Sequence, residues 1–186
     1  MRDYLMSYQF TDNGSHTQHT ADAFAQFDWN PTKYFNVITG LRFDYYSDSD
    51  INHFSPKLGL MYKIGNCSLR GSYAGGFRAP TLKEMYMNFD MASIFMIYGN
   101  PDLKPETSHN FSLSAEYMKG RYNLTVTGFY NVVDNRITTA WSEALKGQVY
   151  TNISNIRISG AEANASVKYP CGLSARLSYA LSLIHI

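Results

Sequence analysis

The chain has 186 residues, 17% of them charged and 15% aromatic, with 15 Tyr, 11 Phe and a net charge of +1. That balance excludes the broad basic field that draws nucleic acid, and no acidic run marks a solvating tail. No uninterrupted apolar stretch approaches the roughly 18 residues of a transmembrane helix, the most apolar segment, Ala92 to Tyr98, being far too short, so any passage through a membrane must be made by strands.

The first residues, Met1-Arg2-Asp3-Tyr4, lack the apolar run of a secretory signal, and an N-terminal portion is expected to precede them in the exported protein. His16 and His19 have a spacing that could ligate a metal, but without a third ligand nearby they read as a solvated polar loop. From about Thr20 onward apolar and polar residues alternate in segments of roughly ten, the period of strands with two different faces. Eight strands are predicted, at about 20–29, 35–46, 54–63, 67–77, 107–118, 121–135, 148–169 and 172–180. Short turns fall at Asn30-Pro31-Thr32-Lys33, Gly65-Asn66, Lys119-Gly120 and Pro170-Cys171-Gly172. Longer connections fall at about 47–53, 78–106 and 136–147, and Asp48 and Asp50 act as turn formers in the first of them. Between Val149 and Ala161 the apolar parity shifts at Ile153, Ile156 and Ile158, which implies bulges or a strand that continues beyond the membrane. Cys67 and Cys171 lack metal or CxxC spacing and read as separate strand or turn residues, although the sequence is also compatible with a disulfide.

Parity sorts the strands sharply. One face collects Ala23, Ala25, Phe27 and Trp29; Val37, Leu41 and Phe43; Pro56, Leu58, Leu60 and Tyr62; Leu69 and Tyr73. It continues through Phe111, Leu113 and Tyr117; Leu124, Val126 and Tyr130; Ala161, Ala163, Ala165 and Val167; and Leu173, Ala175, Leu177 and Tyr179, without a single charge. The other face holds Asp22, Asp28, Arg42, Asp44, Lys57, Lys63, Arg70, Glu116, Glu162, Lys168 and Arg176. A soluble sandwich also alternates. The aromatic residues favour the membrane: Trp29, Tyr34, Tyr62, Tyr117, Tyr122 and Tyr169 lie by the short turns, and Tyr45, Tyr46, Phe54, Phe111 and Tyr130 toward the long loops, as two interfacial girdles would. The fold expected is all-β, an antiparallel transmembrane β-barrel segment with short turns in the periplasm and long loops outside.

The segment Gly75-Gly76-Phe77-Arg78-Ala79-Pro80-Thr81-Leu82-Lys83-Glu84-Met85-Tyr86, followed by Gly99-Asn100-Pro101-Asp102-Leu103-Lys104-Pro105-Glu106, resembles the barrel signature of TonB-dependent outer-membrane receptors. Gly40-Leu41-Arg42-Phe43-Asp44 is similar to a further strand motif of that family, and the likeness covers about residues 20 to 180. It implies a barrel of about 22 strands closed by an N-terminal plug. It also implies energy delivered by the TonB complex through a short N-terminal segment, a small organic or metal-chelate ligand, and contact with outer-membrane lipid. Residues 1–180 are then expected to be part of the barrel domain, with the plug absent from this chain. Leu181-Ser182-Leu183-Ile184-His185-Ile186 looks like a translated sequencing adapter, an expected non-native tail.

The function implied is active transport of a scarce nutrient of the siderophore-iron, haem or cobalamin class. A passive porin or structural barrel is the alternative, and an outer-membrane enzyme a third reading. No P-loop, GxSxG or zinc-finger spacing supports an enzyme, and neither a catalytic residue nor a cofactor is expected. The Asn-x-Ser/Thr sequences at Asn123 and Asn152 carry no weight in a bacterial protein. Within the long loop, Tyr86, Phe89 and Tyr98, accompanied by several Met, are candidate ligand contacts for a large organic molecule. Packing of the loop against itself would account for them equally well. Arg78 and Glu106 are candidates for an ion pair that locks the base of the loop.

Overall fold

The computed structural model describes residues 2–6, 15–47, 51–91 and 94–185. Among the described residues eight long strands and three short ones make a single open sheet: β1 Arg2–Met6, β2 Ser15–Thr32, β3 Phe35–Tyr46, β4 Ile51–Ile64, β5 Cys67–Arg78, β6 Phe89–Met91, β7 Phe95–Tyr98, β8 Glu106–Lys119, β9 Tyr122–Ser142, β10 Gly147–Lys168 and β11 Ser174–His185. Neighbours follow chain order from β1 to β5, then β8, β9, β10 and β11, each pairing antiparallel. No helix among the described residues is long and apolar enough to cross a membrane.

Residues directly opposite each other in an antiparallel ladder share a face, so the register tests the parity assignment pair by pair. Across the sheet it links Ala25 to Leu41, Leu41 to Pro56, Thr39 to Leu58 and Leu58 to Tyr73. It then links Tyr73 to Phe111, Leu113 to Gly128, Val126 to Ala163 and Ala163 to Tyr179. The uncharged face is therefore continuous over all eight long strands. It is also uncovered: Leu58, Leu113, Leu124 and Leu177 are 39, 67, 47 and 73% exposed. In water such a wall would be a severe liability, and in hydrocarbon it is the required surface.

Aromatic residues bound this face at both ends. Near the short turns Tyr62 lies opposite Leu69, Tyr117 opposite Leu124, and Tyr122 opposite Val167. Toward the long loops Phe43 packs on Phe54 with ring centroids 4.8 Å apart, and Tyr73 on Phe111 at 4.9 Å. The Tyr73 hydroxyl meets His109 Nδ1 at 2.9 Å, so this ring carries its own polar partner. Tyr46 departs from the predicted girdle, because its register with Thr20 and Ile51 turns it to the opposite face from Phe43 and Tyr45.

The other face is a polar network. Glu116 accepts from Arg70 at 2.8 Å and from Asn123 at 2.9 Å, Arg42 pairs with Asp44 at 2.7 Å, and Ser72 bonds Ser112 at 2.7 Å. Charges that would be costly in lipid are thereby confined to one side, and Arg42, Asp44, Arg70 and Glu116 are partnered there.

Several predicted boundaries move. β2 begins at Ser15, so His19 lies in a strand and not in a loop, its amide bonded to Ser47 Oγ at 3.0 Å; the side chain of His16, like Asp48 and Asp50, lies outside the described residues. The predicted connection 136–147 is mostly strand: β9 runs on to Ser142 and β10 starts at Gly147, leaving a turn of four residues. Between Val149 and Ala161 the β9–β10 register holds without a shift, and only the Ser154–Asn135 pairing is missing. The second of the two expectations for this stretch applies, a hairpin extended beyond the aromatic girdle. β11 continues to His185, paired with Arg157, and both cysteines are free and exposed.

Candidate functional site

The connection 79–105 is not irregular. It contains a short helix α1, Leu82–Tyr86, then the β6–β7 hairpin, and its second strand joins β10 in parallel through Gln148 with Ile97 and Val149 with Tyr98. Because β5 and β8 are neighbours while β10 lies two strands further on, the loop must cross β8 and β9 before it returns. It forms a crosspiece over the loop-bearing end of the sheet.

The sequence builds the first foot of this crosspiece. Thr81 and Glu84 form a reciprocal capping box, with Glu84 N donating to Thr81 Oγ1 at 3.2 Å and Thr81 N to Glu84 Oε2 at 2.9 Å. The Thr-x-x-Glu spacing was the available signal for a helix that strand periodicity concealed. Pro80, preceding the cap, is fully buried, and Leu82 is 2% exposed. Arg78 Nη1 donates to both oxygens of Glu84 at 3.0 Å, while Nη2 donates to Glu106 Oε1 at 2.7 Å. Arg78 and Glu106 are also direct register partners on β5 and β8.

Glu106 does more than pair with Arg78. The same Oε1 accepts the amide of Ile137 at 2.7 Å. Partial burial pushes its carboxyl up, but the hydrogen bonds from Arg78 and Ile137, with the charges of Arg78 and Arg136, outweigh burial and hold it below the usual glutamate range. Arg78 closes β5 five steps beyond Tyr73, the partner of Leu58, about 16 Å along the chain, which places this cluster at the loop end of the sheet, above the hydrocarbon.

The second foot is held by amides. Asn100 N donates to Glu84 O at 3.0 Å and Asn100 Nδ2 to Tyr150 O at 2.9 Å, tying the return leg to both α1 and β10. Lys104 N donates to Asn152 Oδ1 at 2.8 Å, and Asn152 Nδ2 donates to Lys104 O at 2.9 Å and Asn135 O at 2.6 Å. Gly99 stands where a Cβ would come within 2.7 Å of Met85 O, and Gly147 where one would come within 2.6 Å of Met96 O. Both glycines permit backbone contact at the crossing points.

Of the predicted ligand contacts, Tyr86 closes α1 and packs with Tyr150 against the buried trio Met85, Leu103 and Ile137. Tyr98 lies against Gly147. Phe89, half-buried on β6, carries the Lys83 ammonium 4.5 Å from its ring centre and borders a cavity of about 90 Å³ with Met87, Met91, Ile97 and Tyr150. Of the three aromatics, Phe89 alone lines this cavity. Lys83, Tyr150 and Trp141, whose ring meets Phe95 edge-on at 6.2 Å, were not singled out from sequence. Tyr150 and Trp141 reach the loop only because β9 and β10 extend so far. No group of three His, Cys, Asp or Glu that could hold a metal exists among the described residues.

An uncharged outer face, a polar inner face and a folded loop across one end define a wall of a large transmembrane β-barrel. The family model described as TonB dependent receptor-like, beta-barrel matches residues 2–183, and the chain belongs to that family. It is similar to the iron-regulated outer membrane virulence protein of Vibrio cholerae serotype O1 (El Tor Inaba N16961), with 32% identity over 87% of this chain and 26% of that protein. Among solved structures it superimposes on the siderophore receptor PirA of Pseudomonas aeruginosa, with a TM-score of 0.79, 22% identity, and 97% of this chain and 35% of that one covered. It also superimposes on the Serratia marcescens hemophore receptor HasR, solved with its hemophore HasA and heme, with a TM-score of 0.80, 19% identity, and 91% and 34% covered. The chain therefore spans about a quarter of the V. cholerae relative and about a third of the two structures. It is an outer-membrane protein of Gram-negative type, in a family of receptors and transporters rather than enzymes.

Proposed function

We propose that this chain is part of a receptor that takes up an iron chelate or haem across the outer membrane, energised by the TonB complex through a region outside these residues. The observation that carries the proposal is the folded crosspiece: a connection that spends 27 residues on a capped helix, an ion cluster and a hairpin serves recognition, whereas an open passive pore is better served by an unobstructed mouth. The relatives named for iron regulation, siderophore and hemophore support the ligand class. Outer-membrane lipid would meet the face of Leu58 and Leu113, and the polar face would enclose whatever fills the lumen, since an open sheet edge is not tolerated in hydrocarbon.

Within the crosspiece, Tyr86, Phe89 and Tyr98 remain the proposed ligand contacts, with Phe89 the least committed to the loop's own packing. A strain lacking the full-length receptor, grown under iron limitation with a catecholate siderophore or haem as sole iron source, tests transport. Growth should require both the receptor and TonB. Uptake that persists when TonB is deleted would make the protein a passive pore. Unchanged affinity for the transported chelate after Tyr86, Phe89 and Tyr98 are replaced together by Ala would remove these residues from the site.

A further inference from the structure

At Asn135 the β9 backbone turns left-handed, with φ 54°, where the ladder to β10 skips a pair and the ladder to β8 ends. On one side the pairing with Ser154 is skipped, and on the other the β8–β9 register ends at Thr107 with Asp134. Such a break leaves backbone groups without ladder partners. Asn135 O takes a side-chain partner there, as does the Ile137 amide just past the end of β8, and Pro105, which has no amide, leaves the adjacent Lys104 outside any ladder as well.

Two side chains occupy these vacancies. Glu106 Oε1 takes the Ile137 amide, and the Asn152 carboxamide acts as a substitute peptide group, accepting from Lys104 N while donating to Lys104 O and Asn135 O. An amide has the same donor and acceptor set as a backbone unit, which is why Asn suits this place. The break in β9 and the return of the loop are thus one construction: the kink opens a gap, and the loop is fastened through it to β8, β9 and β10 together.

We infer that Asn152 and Glu106 are positioning residues that hold the 79–105 loop as a fixed crosspiece, present in its final shape before any ligand arrives, and that the loop is not a lid that closes afterwards. The anchors support this at three separate places: Arg78 with Glu84 and Glu106 at the outgoing foot, the β7–β10 ladder at mid-span, and Asn100 with Asn152 on the return. A closing lid needs few contacts and a free hinge. Here the described part of the loop is fastened at its outgoing foot, at mid-span and on its return.

The test uses the full-length receptor in outer-membrane vesicles, without ligand, so its outcome is separate from that of the transport assay. Asp102 is exposed and lies between the Asn100 and Asn152 anchors. With Cys67 and Cys171 replaced by Ser, a nitroxide at Asp102→Cys should give an immobilised spectrum. Asn152→Ala should convert it to a mobile one, and Asn152→Asp, which keeps the acceptor for Lys104 N but loses both donations, should fall between. A retained folded band on unheated gels confirms that the barrel itself has assembled. A label already mobile in the parent, or still immobile when Asn152→Ala and Glu106→Gln are combined, would overturn the inference. Should these variants fail to assemble, hydrogen exchange in the parent decides: the Lys104 and Ile137 amides should exchange as slowly as those of β8, and fast exchange refutes the anchoring.

Discussion

Leu58 and Lys57 are adjacent on β4 and project to opposite faces, so one pair of substitutions interrogates the whole wall. Leu58 lies opposite Thr39 and Tyr73 on the uncharged face, while Lys57 lies opposite Gly40 and Ala74 on the polar one. Leu58 is four residues from Phe54 and four from Tyr62, the aromatic limits of its strand, hence about 14 Å along the chain from either and close to mid-membrane. An arginine there would be too deep to reach headgroups at full length and would cost about 2–4 kcal/mol, a shift of about 30- to 700-fold in the folding equilibrium. Lys57→Leu places an apolar group on a wet wall, and a surface change of that kind stays within about 0.5 kcal/mol. Urea titration of the full-length receptor refolded into bilayers, followed by the heat-sensitive gel shift of folded barrels, reads both values. Comparable losses at the two positions, or a larger loss for Lys57→Leu, would mean that the faces are inverted or that neither meets lipid.

Four further outcomes follow from the geometry of the loop and of the strands that carry it. Gly99→Ala should cost about 1–3 kcal/mol through overpacking, because the new methyl would meet backbone at Met85 and Met87, which cannot move aside, and protease cleavage within residues 99–105 should increase. Gly71→Ala, whose methyl would find only Leu113 Cδ1 at 3.9 Å, should leave urea stability unchanged. At Asn135 the left-handed backbone suits Asn or Gly, so Asn135→Gly should be nearly neutral, whereas Asn135→Val should destabilise the β9–β10 hairpin by about 1–2 kcal/mol in the same titration. The Glu106 carboxyl, held below its ordinary value of 4.5, contributes to the anchor fully above that value and loses the contribution as pH falls through its lower folded value. A spin label at Asp102→Cys should therefore remain immobile from neutral pH down to about pH 5 and loosen only in more acidic solution; loosening near pH 7 would refute the role given to Glu106.

The transmembrane wall was legible in the sequence because its physics is local and periodic. Lipid on one side and water on the other force an alternation of two, and a misplaced charge such as Arg42 or Arg70 on the face of Leu41 or Leu69 would have broken the pattern at once. Turn positions were legible for a similar reason: Gly65 and Gly120 have φ of 58° and 57°, angles that glycine adopts without strain. The full reach of β9 was not, since Asn135 interrupts its alternation and the hairpin beyond it stands in water, where neither face is forced to be apolar.

The resemblance of Gly75 to Glu106 to a family motif drew attention to this loop but did not give its construction. What the tertiary structure alone decided is the set of contacts that no period encodes: Arg78 divided between Glu84 and Glu106, β7 laid in parallel on β10, and Asn152 clasping Lys104 from 48 residues away. Hydrogen bonds of that kind depend on where the chain crosses itself, and the crossing is fixed only once β9 and β10 have carried Tyr150 and Asn152 beyond the membrane to meet the returning loop.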